Sequence, residues 1–240
     1  MGSHDYFDAE GNKTPSVSQV PGIFAHNMDG FEDWICSQLH GRDRSKCCTH
    51  AKRSFYQESA NLGHDIHNLR EAWLKGEKFE DGVPEYQAQV FEPIAKFYKE
   101  SGYKPMFVEE KMTGKTFGGT LDGAGTFDKP FWLDQRKTFW AKESREEMWL
   151  SDPPALPQPG EVWIEDLKIK SKLDVLHPLQ LYGYSLLLKE VYNVEAKWGL
   201  IIRREKNLEK TPQIQLRGYW LPAYKHLWDC SMTMWHFLND

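Results

Sequence analysis

Cysteine is scarce in this chain: four residues in 240, at Cys36, Cys47, Cys48 and Cys230. One adjacent pair and two distant singletons match neither the C-x-x-C pairs of a zinc site nor the dense framework of a small disulfide-rich domain. Reduced thiols are the expectation. No apolar run approaches the about 18 residues that a membrane-crossing helix needs. The opening Met1-Gly2-Ser3-His4-Asp5 lacks the basic and apolar regions of a secretory signal, so a cytoplasmic setting is expected. No unit repeats with a period of about 20–50 residues, which excludes solenoids and propellers. Positive charge is not in excess either. Lys plus Arg number 30 against 35 Asp plus Glu, a net charge of −5. That argues against a generally basic nucleic-acid coat, but a positive field confined to one cleft remains compatible with it.

Aromatic residues, by contrast, are plentiful, at 14% with ten Trp. Either they build a Trp-rich core or some of them stack on bases. A length of 240 residues suits one large domain. Its N-terminal part, about 23–101, reads as helical. Thr14 to Val20 alternates in polarity and predicts a short edge strand, and a helix is expected over about 28–40. Phe55, Ser59, Leu62, Ile66, Leu69 and Trp73 recur at alternating spacings of four and three, one buried helical stripe that Gly76 ends. Another helix runs from about Pro84 to Glu100.

The period then changes to two. Pro105–Met112 and Lys115–Ala124 predict two strands joined at Thr113-Gly114. Residues 127–160 carry a cluster of aromatics and prolines and read as an insertion. Within it, Phe139 and Trp140 either stack on unpaired bases or cap the core. Glu161–Ile169 predicts a third strand, Pro178 opens a helix reaching about Tyr192, and Trp198–Arg204 and Gln213–Trp220 predict two more strands. A last helix starts near Pro222. This succession makes an α/β domain with a mixed sheet.

The third strand holds the most informative residues. Alternate side chains share a face, so Asp166 and Lys168 point the same way and Glu165 the other. A buried carboxylate and ammonium two apart are costly unless they serve something. Alone, D-x-K is most often a rim ion pair. Three further pieces accompany it: Gly119-to-Asp122 in a glycine-bracketed strand, Gln180 and Tyr184 four apart on one helix face, and Gly63-to-His67 inside the stripe helix. His67 lies beside Ile66 at the stripe's edge, where a lone His is ordinarily structural.

In this order, G-x-x-x-H, G-x-x-D, D-x-K and Q-x-x-x-Y resemble the RecB-like branch of the PD-(D/E)xK nuclease superfamily. Thr14-Pro15-Ser16-Val17 also looks like the opening of phage-type and mitochondrial genome-maintenance exonucleases in that branch. The resemblance spans about residues 10–205. It departs from the pattern at Ile169, where the family often has Thr, and in the long gap between Asp122 and Asp166. The cysteines do not follow the spacing of the cluster-bearing members, so no iron–sulfur cluster is carried over.

The resemblance implies a restriction-endonuclease-like core, a central mixed β-sheet flanked by helices. It implies a metal-dependent DNA nuclease, an exonuclease rather than an endonuclease, in a bacterial or phage-infected cell. Asp122, Asp166, Lys168, Gln180 and Tyr184 become the catalytic set. Oxygen ligands suit Mg²⁺ or Mn²⁺. Asp122 and Asp166, with the Leu167 carbonyl, would hold the ion, and His67 would add a nitrogen favouring Mn²⁺. Lys170, Lys172, Arg203 and Arg204 are candidates to line a groove for the phosphate backbone of DNA, single-stranded or with free ends. Glu109 and Glu110 precede the first acid strand, and the sequence does not decide whether either takes part. A non-catalytic nucleic-acid-binding module, or one binding a replication or recombination partner, is the alternative on the same fold.

Overall fold

The computed structural model describes residues 5–11, 13–22, 48–77, 82–130, 155–169, 176–204 and 214–239, with the backbone alone for 48–60 and 238–239. The expected helix over 28–40, most of the aromatic insertion including Phe139 and Trp140, and Lys170 and Lys172 lie outside these residues.

Near the N-terminus two short strands, β1 (Tyr6–Phe7) and β2 (Lys13–Thr14), pair antiparallel. The edge strand expected to reach Val20 stops early. Ser16 N–H donates to Gln19 Oε1 at 2.9 Å, and Gln19 N–H donates to Ser16 Oγ at 3.2 Å. This reciprocal capping box starts a helical turn, α1 (Gln19–Gly22), where alternation had suggested extension. Ser16 keeps a single bridge to Gly118, and Val17 N–H donates to the Gly118 carbonyl at 2.7 Å.

The apolar stripe forms as expected from Leu62 through Ile66 and Leu69 to Trp73, while the side chains of Phe55 and Ser59 lie outside the described residues. Helix α2 (Cys48–Lys75) buries Ile66 and Leu69, and Gly76, at φ +72°, stops it. Helix α3 (Glu85–Ser101) begins after Pro84 and ends on Gly102 in the left-handed conformation that glycine adopts without steric cost. It buries Val90, Phe91, Ile94, Phe97 and Tyr98. Five strands follow: β3 (Tyr103–Thr113), β4 (Gly118–Phe127), β5 (Val162–Ile169), β6 (Trp198–Arg204) and β7 (Gln215–Trp220). Helix α4 (His177–Tyr192) connects β5 to β6. After a 3₁₀ turn at Leu221–Tyr224, α5 (Lys225–Asn239) closes the described chain.

The sheet follows chain order, β3-β4-β5-β6-β7. β5 and β6 run parallel and the other neighbours antiparallel, so the sheet is mixed. One face packs on α2 and α3 through Phe127, Trp163, Leu167, Trp198 and Leu200. The other packs on α4 and α5 through Leu121, Ile164 and Ile201, against Leu181, Leu187 and Trp228. Being covered on both sides, β5 and β6 are buried along nearly their whole length. Each fully buried large apolar side chain contributes about 1.5–3 kcal/mol. A polar side chain inside those strands is therefore conspicuous. Among the described residues no helix is long and apolar enough to cross a membrane.

Candidate metal centre

The sheet order places Asp122 on β4 next to Asp166 on β5. The Asp122 carboxylate oxygen Oδ2 accepts from the Leu167 backbone N–H at 3.0 Å. Asp166 is 3% exposed, and its Oδ1 accepts from Lys168 Nζ at 2.5 Å. Helix α2 packs across this face edge and brings His67 over the same point. His67 Nδ1 stands 3.5 Å from Asp122 Oδ2 and 3.5 Å from Glu109 Oε1. Its Nε2 lies 3.0 Å from the Leu167 carbonyl. A carbonyl can only accept, so Nε2 carries the proton and the Nδ1 lone pair of the neutral ring faces the carboxylates. The Leu167 carbonyl, expected as a metal ligand, also accepts from the imidazole and keeps a second lone pair.

Glu109 completes the group. Ligand atoms of His67, Glu109 and Asp122 all lie within 4.8 Å of one another. Glu110, the competing acid, turns outward and accepts from Tyr192 OH at 2.5 Å. The hairpin register separates the two: Thr113 pairs with Gly118, and counting back along both strands sets Glu109 opposite Asp122.

The electrostatics are those of crowded acids. Burial pushes the Asp166 carboxyl up, and the neighbouring Asp122 adds to this, against the pull of Lys168. Burial lowers His67, but Asp122 and Glu109 outweigh it, and the net shift is upward. Burial likewise lowers Lys168, and Asp166 and Asp122 more than restore it. Lys168 therefore stays an ammonium at neutral pH and offers charge, not a basic lone pair. Tyr184 is buried, hydrogen-bonds with Gln180, and is raised well above its ordinary value, first by burial and then by Asp122 and Asp166. Its hydroxyl stays protonated and able to donate. A Cβ at Gly119 would collide with the Tyr184 ring, which explains the glycine.

This donor set fits a hard divalent cation. The clustered His67, Glu109 and Asp122, with Asp166 adjoining Asp122, offer oxygen-rich ligation. Two buried oxygens, Asp166 Oδ2 and Glu109 Oε1, have no hydrogen-bond partner. Glu109 Oε1 has only the longer approaches of His67 Nδ1 at 3.5 Å and Arg70 Nη1 at 3.6 Å, and a buried carboxylate oxygen without a hydrogen bond is costly unless a cation meets it.

Of the basic residues expected in a groove, Arg203 is the direct cross-strand neighbour of Lys168 and donates to Gln215 Oε1 at 2.5 Å. Arg204 points to the opposite face and is 2% exposed. No protein-family model matches the chain, and no curated protein matches it.

Proposed function

We propose that the chain is a metal-dependent DNA nuclease of the RecB-like branch, on a restriction-endonuclease-like core, and acts as an exonuclease. One observation carries the reading. Three motifs spread from Gly63 to Lys168 meet at one point, with Asp122 Oδ2 3.5 Å from His67 Nδ1 and 3.0 Å from the Leu167 N–H, and Tyr184 of the fourth lies within the electrostatic reach of Asp122 and Asp166. Nothing in their separate local patterns requires that meeting.

His67, Glu109, Asp122 and Asp166 would hold Mg²⁺ or Mn²⁺. Bound there, it would supply polarisation of a phosphate and a water of lowered pKa. The chain's own groups do the rest. The Lys168 ammonium stands where negative charge develops on phosphate oxygens and stabilises it. The Tyr184 hydroxyl and the Gln180 amide orient the phosphate backbone. Arg203, beside Lys168, extends positive charge along the same sheet face.

The test uses end-labelled linear DNA and a closed circular plasmid, each with Mg²⁺, Mn²⁺ or chelator. Loss of the linear label with metal only, with the circle intact, is the expected result. The Asp122→Asn variant should be inactive. Binding of DNA without cleavage under every metal condition would favour the non-catalytic module.

A further inference from the structure

We infer that Arg70, clamped by Glu165, is a positioning residue that assembles the carboxylate cluster before a cation arrives, an inference that rests on the metal-centre reading above. Arg70 follows His67 by three residues on α2 and so shares its face. It is fully buried. Its Nε donates to Tyr98 OH at 2.8 Å, and its Nη1 donates to the Asp122 backbone carbonyl at 2.9 Å. The same Nη1 stands 3.6 Å from Glu109 Oε1. Its Nη2 donates to Glu165 Oε1. Glu165 is held in turn by Tyr98 OH at 2.5 Å and Tyr103 OH at 2.6 Å. One guanidinium thus ties α2, β3, β4 and β5 together at the residues that carry His67, Glu109 and Asp122.

The passage for this fork is built into the chain. A Cβ at Gly123, the residue after Asp122, would run into both Arg70 Nη2 and Glu165 Oε1. Only glycine lets the ion pair cross the strand there.

The charges fit a divalent ion. Arg70 is a permanent cation, and an uncompensated one would repel a metal at the adjacent cluster. Glu165 cancels it. Glu109, Asp122 and Asp166 then stand against Lys168 alone, leaving two negative charges for one divalent cation to balance. A simple stabilising ion pair needs neither the bond to the Asp122 carbonyl nor the approach to Glu109. Replacing a buried ion pair with apolar residues is often neutral in stability, so strength alone is a weak reason for it.

Removing one partner strands a buried charge and endangers folding. The test therefore uses the double variant Arg70→Met/Glu165→Met, and Arg70→Lys, which keeps the charge but loses the fork. Mn²⁺ binding to each folded protein is titrated by calorimetry, with folding checked by circular dichroism. Outer-shell groups of this kind change metal affinity by about 10–100-fold, and a loss of that size is expected in both variants. Wild-type Mn²⁺ affinity in the folded variants would overturn the positioning role and leave the metal centre standing. A wild-type chain that binds no Mn²⁺ would overturn the metal-centre reading and this inference together.

Discussion

Glu109 faces Asp122 across the β3–β4 hairpin, and it does so at φ +50°, in the left-handed region that non-glycine residues avoid. The other non-glycine residue with positive φ among those described is Asn193, a helix C-cap where that conformation is common. Left-handed backbone at a residue with a Cβ costs about 1–2 kcal/mol. Strain of this kind persists where the surroundings over-determine it, and it clusters at functional sites.

Glu109→Gly should therefore leave the metal-free protein as stable as before, or more stable by up to about 1 kcal/mol. The same variant should lose most of the Mn²⁺-induced rise in melting temperature. Thermal melts with and without Mn²⁺ check both parts. A destabilised variant with a full metal-induced shift would remove Glu109 from the site.

Stability of the metal-free chain should fall as pH rises from about 6 to 8. Both His67 and Asp166 are raised above their ordinary values. A raised His contributes stability that is present below its unfolded value of about 6.5 and lost as pH climbs through the folded one. A raised Asp is penalised in the same direction, with the loss starting as pH climbs above its unfolded value of about 3.9, because its buried ionised form is disfavoured. The two effects have the same sign. A divalent cation replaces both protons, so adding Mn²⁺ should flatten the decline and release protons on binding. Melts across this range test the sign; a metal-free stability that rises from pH 6 to 8 would contradict it.

Lys168→Ala should reduce cleavage by at least about 10²-fold while DNA binding persists. The lysine is an ammonium, and on the proposed nuclease reading it would act on charge in the transition state rather than on the bound ground state. Single-turnover cleavage and a binding titration separate the two. A near wild-type rate would refute the D-x-K assignment.

Replacing Phe139 and Trp140 with Ala should weaken binding to single strands or frayed ends by about 1–3 kcal/mol per stacked base. Loss of thermal stability with binding unchanged would assign these rings to the core instead.

Strands β5 and β6 and helices α3 and α4 were legible from the residues alone. Trp198–Ile202 is an apolar run bounded by polar residues, and the strand forms over Trp198–Arg204 as expected. Ile66 and Leu69 announced the buried face of α2, and parity along Val162–Ile169 put Glu165 on the face opposite Asp166 and Lys168. In each case a local period encodes which face is buried, and burial is a property of one element. What only the tertiary structure decided was contact between elements. Alternation favoured a strand at Ser16–Val20, yet the Ser16–Gln19 capping box made a helical turn. Glu109 and Glu110 were indistinguishable until hairpin register set one beside Asp122. Arg70 and Glu165, 95 residues apart, show no local sign of each other, because a helix packing on a sheet selects its contacts by position and angle. Gly123 reads as one more glycine in a strand. Its reason is an ion pair that exists only once α2 has packed over β4.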